Sequence, residues 1–590
     1  MAPSLPPRTC EKRVNALFSA GSHQPASGLL GTLTRLTSVF EKNRQDGIAV
    51  SVARLLSVRA RERPGTAAFL SGEDGRELCW GALAEHGLAW RRGVRPVSRV
   101  GLVIADPLAF TATYLGCLSA GLTVVPVDPR LPATEVSAAL ARLRIDVLVT
   151  DRPGEVSQPG LETWQAGLGL PRRLWGGTAL RPSTGVPCRP AVLLTSSGTT
   201  GRPKGIPLSE AQLLHAASRV ARHHGFTRAD RGYTPLPLFH VNAQVMGLLA
   251  TVVSGASLVI DARFDAGEYW SRVERFSPTW LNAVPAVLAS LARCPAPPAR
   301  LAGPIRFARS ASAPLPPATA LAFTERTGIG VLETYGMSEA AGQITANPLD
   351  PAARRPGSVG LPVGVELTVA LPDGSPARPG EEGEVLLRGP NVLAEYLEPS
   401  ETGPERTRPA RDGSGWLPTG DIGVLDGDGF LRLAGRRDDV INRGGEKIHP
   451  QAVENVLLDH PGVAAAAVVG APHERLGQVP VAFVIPRHHD TGGLEDSVRA
   501  WCETRLARYQ RPTVIELTDA LPLGPTGKVL RRALRAQPAC GDGPGRAPAL
   551  RGPDPGADRG PGHRHARTGP RPGHADRPDG TAGHRLPHQP

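Results

Sequence analysis

The sequence predicts an α/β protein: a large N-terminal domain of parallel or mixed sheet with covering helices, followed by a small α+β C-terminal domain. Three observations carry that expectation. Short apolar runs alternate with helix-patterned segments in the first third of the chain, the pattern of strands joined by crossover helices. A polar break over 435–443, containing Arg436, Arg437, Asp438 and Asp439, separates that region from a second patterned stretch. Finally, 40 % of the 590 residues are hydrophobic, enough for a large core and more than one domain, which excludes a wholly disordered or fibrous chain.

Taken in order, Val100 to Ile104 reads as a buried strand, Phe110 to Ala120 as a helix and Leu122 to Val127 as a second strand. A helix from Pro132 to Leu143 and a third strand from Ile145 to Thr150 complete the series. Beyond the break come a helix (Gln451 to Asp459), two strands (Val463 to Val469 and Val479 to Ile485) and a last patterned segment, Val529 to Leu534. There is no repeat of solenoid period. The expected organisation is a loosely ordered extension over 1–48, the large domain over 49–437, the small domain over 438–536 and a tail over 537–590. The tail holds 11 Gly and 11 Pro in 54 residues, above the level at which chains pack. Its histidines, His563, His565, His574, His584 and His588, have no cysteine or carboxylate partner at ligand spacing and read as solvated.

The net charge of +12 is spread thinly, with +3 at each end and no Lys/Arg run, so nucleic acid is not an expected partner. Seven cysteines form no C-x-x-C pair and are too sparse for a disulfide framework or a structural zinc site, which suggests a reducing compartment. The N-terminus lacks a compact apolar segment with a cleavage site. The most apolar stretch, Leu248 to Ile260, is interrupted by Ser254, Gly255 and Ser257. The expectation is a soluble cytoplasmic protein without a membrane span.

The strongest local signal is LLTSSGTTGRPKG at 193–205. An apolar strand runs into a loop with glycines at 198, 201 and 205, hydroxyls at Thr195, Ser196, Ser197, Thr199 and Thr200, and one lysine, Lys204. Gly198 and Gly201 let the backbone approach an anion, hydroxyls and N–H groups donate to phosphate oxygens, and lysine adds charge. The spacing does not fit the P-loop pattern G-x-x-x-x-G-K-[ST]. Only five of the 67 basic residues are lysines, and three of them, Lys204, Lys447 and Lys528, fall in Gly/hydroxyl-rich or domain-junction strings. An ammonium is a compact charge that sits on one oxygen, which an arginine fork does not do.

In ETYGMSE (333–339) a strand leads into a glycine turn, then a hydroxyl and a carboxylate. Glu339 suits Mg²⁺ held with nucleotide phosphates, which takes one or two protein carboxylates. Tyr335 offers a face for a base, with a plain core role as the alternative. In WLPTGD (416–421) Asp421 follows a glycine turn and could accept both hydroxyls of a ribose, or could simply cap a surface turn.

Together these strings resemble the adenylate-forming superfamily of acyl- and aryl-CoA synthetases, peptide-synthetase adenylation domains and firefly luciferase. The resemblance spans about residues 50–536 and includes AGLTVVPVDP (120–129), PLFH (237–240), GSVGLP (357–362) and GRRDDVINRGGEKI (435–448). It implies that the 195–205 loop holds the β- and γ-phosphates of ATP and that Ser312, Ala313, Tyr335 and Gly336 surround the nucleotide, with Tyr335 stacked on adenine. It further implies that Ser338 and Glu339 bind phosphate and Mg²⁺, that Asp421 and Arg436 hold the ribose, and that Asp438 is the hinge of a mobile small domain. Lys528 would bridge the acyl carboxylate and the α-phosphate. After the domain rotates, Gly444, Gly445 and Lys447 would line a pantetheine channel. The acyl pocket would comprise His240, Val241, Asn242, Ala283, Val284, Ser310, Ala311, Ser312 and Gly336. There His240 acts as a catalytic gate, with a packed core histidine as the alternative.

The strings RFARSASA (306–313), ANPL (346–349) and the 442–448 segment look most like stand-alone acyl-CoA synthetases, including the oxalate-CoA ligase group. That group typically has a second histidine where this chain has Asn242, so a cation-capable partner for a second carboxylate is missing at that point. The expected activity is ATP- and Mg²⁺-dependent formation of acyl-AMP with release of pyrophosphate, then transfer to CoA. The alternatives are transfer to the phosphopantetheine of a separate acyl carrier protein, or a non-catalytic nucleotide-binding relative.

Overall fold

Helix Pro107–Ser119 is buried along its whole length. Its sequence, PLAFTATYLGCLS, carries no charge on any face, so it can only sit inside. Asp106 caps it by accepting from the Ala109 amide, and Pro107 opens the first turn, where a missing N–H costs nothing. The helix touches strands of both large sheets, so it is the centre of the main core. The computed structural model describes residues 50–95, 99–155, 161–175, 190–196, 204–398, 405–488, 491–524 and 528–536. The N-terminal extension and the tail lie outside these, as do Ser197, Gly198, Thr199, Thr200 and Gly201.

The expected β-α-β-α-β series is observed at Arg99–Val103, Pro107–Ser119, Thr123–Pro126, Ala133–Arg142 and Val147–Thr150. Its strands pair in parallel. They form the middle of a nine-stranded sheet that continues on one side through Val192–Ser196, Lys204–Leu208, Glu395–Glu398 and Arg406–Pro409. A second nine-stranded sheet has a parallel middle, Ser257–Ile260, Arg231–Thr234, Trp280–Ala283, Phe307–Ser310 and Val331–Met337, with antiparallel strands at both edges. Helix Glu210–His223 opens on a capping box between Ser209 and Gln212, a device that stabilises by about 1 kcal/mol. It buries Leu213, Leu214, Ala217 and Val220.

A four-stranded antiparallel sheet follows, Glu366–Ala370, Glu382–Arg388, Leu417–Leu425 and Leu431–Arg436. From Ile441 onward the elements build a sheet of their own, with Val463–His473 and Gly477–Pro486 as its long hairpin and Val514–Leu517 parallel to the latter. Helices Pro450–Leu458 and Leu494–Arg505 close a separate core with Ile441, Val453, Leu457, Val468, Val484 and Val498. The expected helix and two strands of the C-terminal region are therefore present. Val529 to Leu534 forms a single bridge from Val529 to Leu523 followed by the short helix Arg531–Arg535.

Across the polar break at 435–443, strand Leu431–Arg436 passes through one 3₁₀ turn, Arg437–Asp439, directly into strand Ile441–Arg443. Two local readings change. Gly336 is not a turn but lies inside strand Val331–Met337, where a Cβ would fall 2.1 Å from the carbonyl oxygen of Gly342 on the partner strand. Gly420 likewise sits within strand Leu417–Leu425 at φ 72°, a kink that glycine alone adopts without strain. Among the described residues no helix is long and apolar enough to cross a membrane. The apolar stretch ending at Ile260 is a helix turned by Gly255 into a buried strand.

Candidate active site

Asp421 and Arg436 face each other across neighbouring antiparallel strands. Arg436 donates to Asp421 Oδ1 at 2.9 Å and to the Thr419 carbonyl at 3.0 Å. Tyr335, from the adjoining large sheet, donates its hydroxyl to Asp421 Oδ2 at 2.5 Å. Burial, and then the Asp421 charge, raise the Tyr335 pKa, so the phenol stays a donor. Tyr335, Asp421 and Arg436, read from three separate strings, thus form one cluster.

Glu339 sits in the 3₁₀ turn Ser338–Ala340 and accepts from the Tyr396 hydroxyl at 3.2 Å. The next residue, Ala341, has φ 53°, a strained backbone of the kind that collects at functional sites. Burial raises the Glu339 pKa, with Tyr396 and Arg436 opposing. Lys204 lies with its Nζ 5.2 Å from the centre of the Tyr396 ring, a cation–π contact on the same tyrosine whose hydroxyl donates to Glu339. Thr195 and Ser196 pair with Gly205 and Lys204 across an antiparallel ladder, so the phosphate-loop string is the connection of a strand pair whose ends are fixed.

Lys528 reaches this cluster from the C-terminal part of the chain. Lys528 is exposed as a residue, yet desolvation where its ammonium meets the cluster lowers its pKa below the usual lysine range; Asp421 and Glu339 raise it and Arg436 lowers it further. One ammonium thus lies within the fields of both carboxylates singled out in the sequence. The expected hinge residue, Asp438, is half-way through the 3₁₀ turn that follows Arg436. Gly444 and Gly445 form a two-residue hairpin with φ 61° and 96° between strands Ile441–Arg443 and Glu446–Ile448. They and Lys447 are exposed.

The residues expected around an acyl group come together at the ends of the parallel strands. Ala283, Ser310 and Ala311 are buried, while His240, Val241, Val284, Ser312, Ala313 and Gly336 are half-buried. His240 packs against the Phe239 ring at 4.3 Å. Asn242 opens a helix of π-type turns, Asn242–Leu249, a form often met at functional sites. Its Nδ2 donates to Ser312 Oγ at 3.0 Å, and Ser312 has φ 72°.

Sequence reasoning missed three residues. Tyr396 holds Glu339 and underlies Lys204; its only signal is a strand that pairs with the Lys204 strand. Arg309 and Asn282 join Asn242 on the pocket's inner side. Arg309 was visible in the string 306–313, but its burial required the strand register.

The AMP-binding enzyme pattern matches residues 56–397, and that of the AMP-binding enzyme C-terminal domain matches residues 452–528. The chain belongs to the AMP-binding enzyme family. As a member it is an AMP-forming acid–thiol ligase of an ATP-using, adenylate-forming group. It is 38 % identical to a sulfoacetate–CoA ligase of Cupriavidus necator over 82 % of this chain and 97 % of that one. It is 34 % identical to an oxalate–CoA ligase of Arabidopsis thaliana over 75 % and 88 %. Among solved structures it resembles the o-succinylbenzoate coenzyme A synthetase of Bacillus subtilis in complex with ATP and magnesium ion, at TM-score 0.67 and 29 % identity, over 81 % of this chain and 98 % of that one.

Proposed function

We propose that this enzyme binds ATP and a small or medium carboxylic acid at the Tyr335–Asp421–Glu339–Lys528 cluster, joins them as acyl-AMP and passes the acyl group to CoA. The observation that supports this reading is the hydrogen-bonded cluster of Tyr335, Asp421 and Arg436, with contacts of 2.5 and 2.9 Å, which Lys528 joins from the C-terminal region in the field of Asp421 and Glu339. In the first step a carboxylate oxygen attacks the α-phosphorus and pyrophosphate leaves. An anion approaches an anion, so rate comes from positioning and from cationic stabilisation of the developing charge. Lys528 supplies that charge at the bond being made, and Lys204 with the 195–205 loop supplies it at the β- and γ-phosphates. Asp421, oriented by Tyr335 and Arg436, accepts the ribose hydroxyls.

A half-buried carboxylate with one oxygen held by Tyr396 and a hydroxyl beside it at Ser338 fits Mg²⁺ carried in with the phosphates. Bound there, Mg²⁺ would neutralise charge on the departing pyrophosphate. In the second step the small domain turns about Asp438, Lys528 withdraws, and the Gly444–Gly445 hairpin approaches the acyl-AMP carbonyl. The CoA thiol, losing its proton, attacks that carbon and AMP leaves. The walls at Ala283, Ser310, Ala311 and Gly336 are small, which suits a compact acid. The relatives named for sulfoacetate and oxalate support acids of this size.

The test is mass spectrometry of reactions with ATP, Mg²⁺ and a panel of C2 to C12 and aryl acids, with and without CoA. The expected result is acyl-CoA, AMP and pyrophosphate only in the complete mixture. Acyl-AMP accumulating in the presence of CoA would move the acceptor to a carrier-protein pantetheine. Absence of pyrophosphate with every acid would overturn the reading.

A further inference from the structure

We propose that the acid this enzyme activates carries a second anionic group, carboxylate or sulfonate, and that Arg309, set in place by Asn242 and Asn282, receives it. This rests on reading the chain as an acyl-CoA synthetase. Arg309 lies in the middle of strand Phe307–Ser310, with 2 % of its surface exposed. It pairs in register with Asn282 on one side and Leu332 on the other. One guanidinium nitrogen donates to two neutral acceptors, Asn242 Oδ1 and Asn282 Oδ1, each at 2.9 Å. Its Nε–H is buried and meets no acceptor. Burial pushes the Arg309 pKa down to about 9, which leaves it cationic at neutral pH.

Among the described residues, no neighbour supplies the opposite charge. His223 and His224, at the end of the helix packed on this face, are pushed down in pKa by burial and by Arg309, His223 to about 4; they stand neutral or, if anything, repel. Asn242 and Asn282 are uncharged. Among the described residues no carboxylate pairs with Arg309. Asp230 is engaged by Arg306 and Thr279, and Asp261 by Tyr233 and Arg272. Glu333 pairs in register with Ser310, so it projects from the opposite face of the sheet. An unpaired buried charge costs several kcal/mol, and proteins keep one where a partner arrives.

Asn242 links Arg309 to the residues expected around the acyl group: the same amide that accepts from Arg309 donates to Ser312 Oγ in the strained 310–313 loop. A C2 to C4 acid with acidic groups at both ends suits the compactness of those walls. The planar fork of arginine suits carboxylate and sulfonate oxygens alike. The second-anion partner that the sequence lacked at position 242 is thus offered from the neighbouring strand, with Asn242 orienting it.

The test compares kcat/KM for malonate, sulfoacetate and their near-isostere propionate in the full chain, as wild type, R309M and R309K. For wild type at least one dianion is expected to exceed propionate by about 100-fold or more; which of the two does so separates carboxylate from sulfonate. The dianion-to-propionate ratio is expected to fall at least about 30-fold in R309M and less in R309K, which keeps the charge. Because the readout is a ratio, a loss shared by all three acids would assign Arg309 to structure alone and overturn the proposal. So would a wild type that prefers propionate or longer monoacids while still releasing pyrophosphate; that outcome leaves the synthetase reading standing. If R309M does not fold, the R309K ratio decides. No pyrophosphate from any acid would instead remove the synthetase reading itself.

Discussion

Desolvation at the cluster lowers the pKa of the Lys528 ammonium, although the residue itself is exposed, and the two carboxylates whose fields reach it offset that only in part. Its charge is therefore lost, as pH rises, below the ordinary lysine range. Because kcat/KM reports groups of the free enzyme, the alkaline limb for acyl-AMP formation is expected below that range, and it should disappear in Lys528→Arg, whose guanidinium does not titrate. Lys528→Ala should remove at least about 100-fold of the adenylation rate, the scale of a lost charge-stabilising group, while thioester formation from supplied acyl-AMP persists. Equal loss in both half-reactions would show that Lys528 acts through the fold. This residue was legible because lysine is rare in the chain and each survivor carried information. Arg309 was not, since one arginine among 62 becomes notable only when strand register buries it away from every carboxylate.

Helix Arg531–Arg535 begins three residues after Lys528 and is anchored by charge. Arg531 places one nitrogen 2.6 and 2.7 Å from the two oxygens of buried Glu454, and Arg535 donates to Asp439 at 2.6 Å. Glu454 also accepts from the Val468 amide, so the helix is tied to the core of the small domain. Arg531→Ala leaves a buried carboxylate unpaired and is expected to cost about 3 kcal/mol, at the lower end for a broken buried pair because the arginine is partly exposed. Arg535→Ala, on a more exposed pair, should cost under about 1 kcal/mol. Urea unfolding of the full chain compares the two, and adenylation should fall further in the first because Lys528 loses its support. At this scale periodicity revealed helices Pro107–Ser119, Ala133–Arg142 and Pro450–Leu458 with the strands beside them, but not the parallel middle of the second nine-stranded sheet. It failed at Gly336 and Gly420, where glycine reads as a turn. Both lie in strands because the neighbouring backbone comes too close for a Cβ, or the chain must kink, and neither condition is written locally.

Among the described residues, a hydrogen bond between His449 and Glu382 at 2.9 Å and an ion pair of Arg437 with Glu384 at 2.7 Å join the part after Arg436 to the four-stranded sheet. Each has a partner that is well exposed, so each contributes at most about 1 kcal/mol. Neither contact holds the arrangement around Lys528 and Asp421 strongly, which is compatible with the rotation proposed for the second step. The order of motifs announced both reactions. Sequence alone did not show which arrangement is populated, because that balance rests on a few solvent-facing charges far apart in the chain. The hinge is where it can be tested. Asp438 is the second residue of a single 3₁₀ turn, a conformation whose usual φ matches that of proline. Asp438→Pro should keep the observed arrangement and retain acyl-AMP formation, while resisting the backbone change that rotation needs. Transfer from acyl-AMP to CoA is then expected to slow by about 100-fold or more in single turnovers, equivalent to about 3 kcal/mol at the barrier. If both half-reactions fell together, Asp438 would be a structural position, and the rotation would have to be placed elsewhere between Arg436 and Ile441.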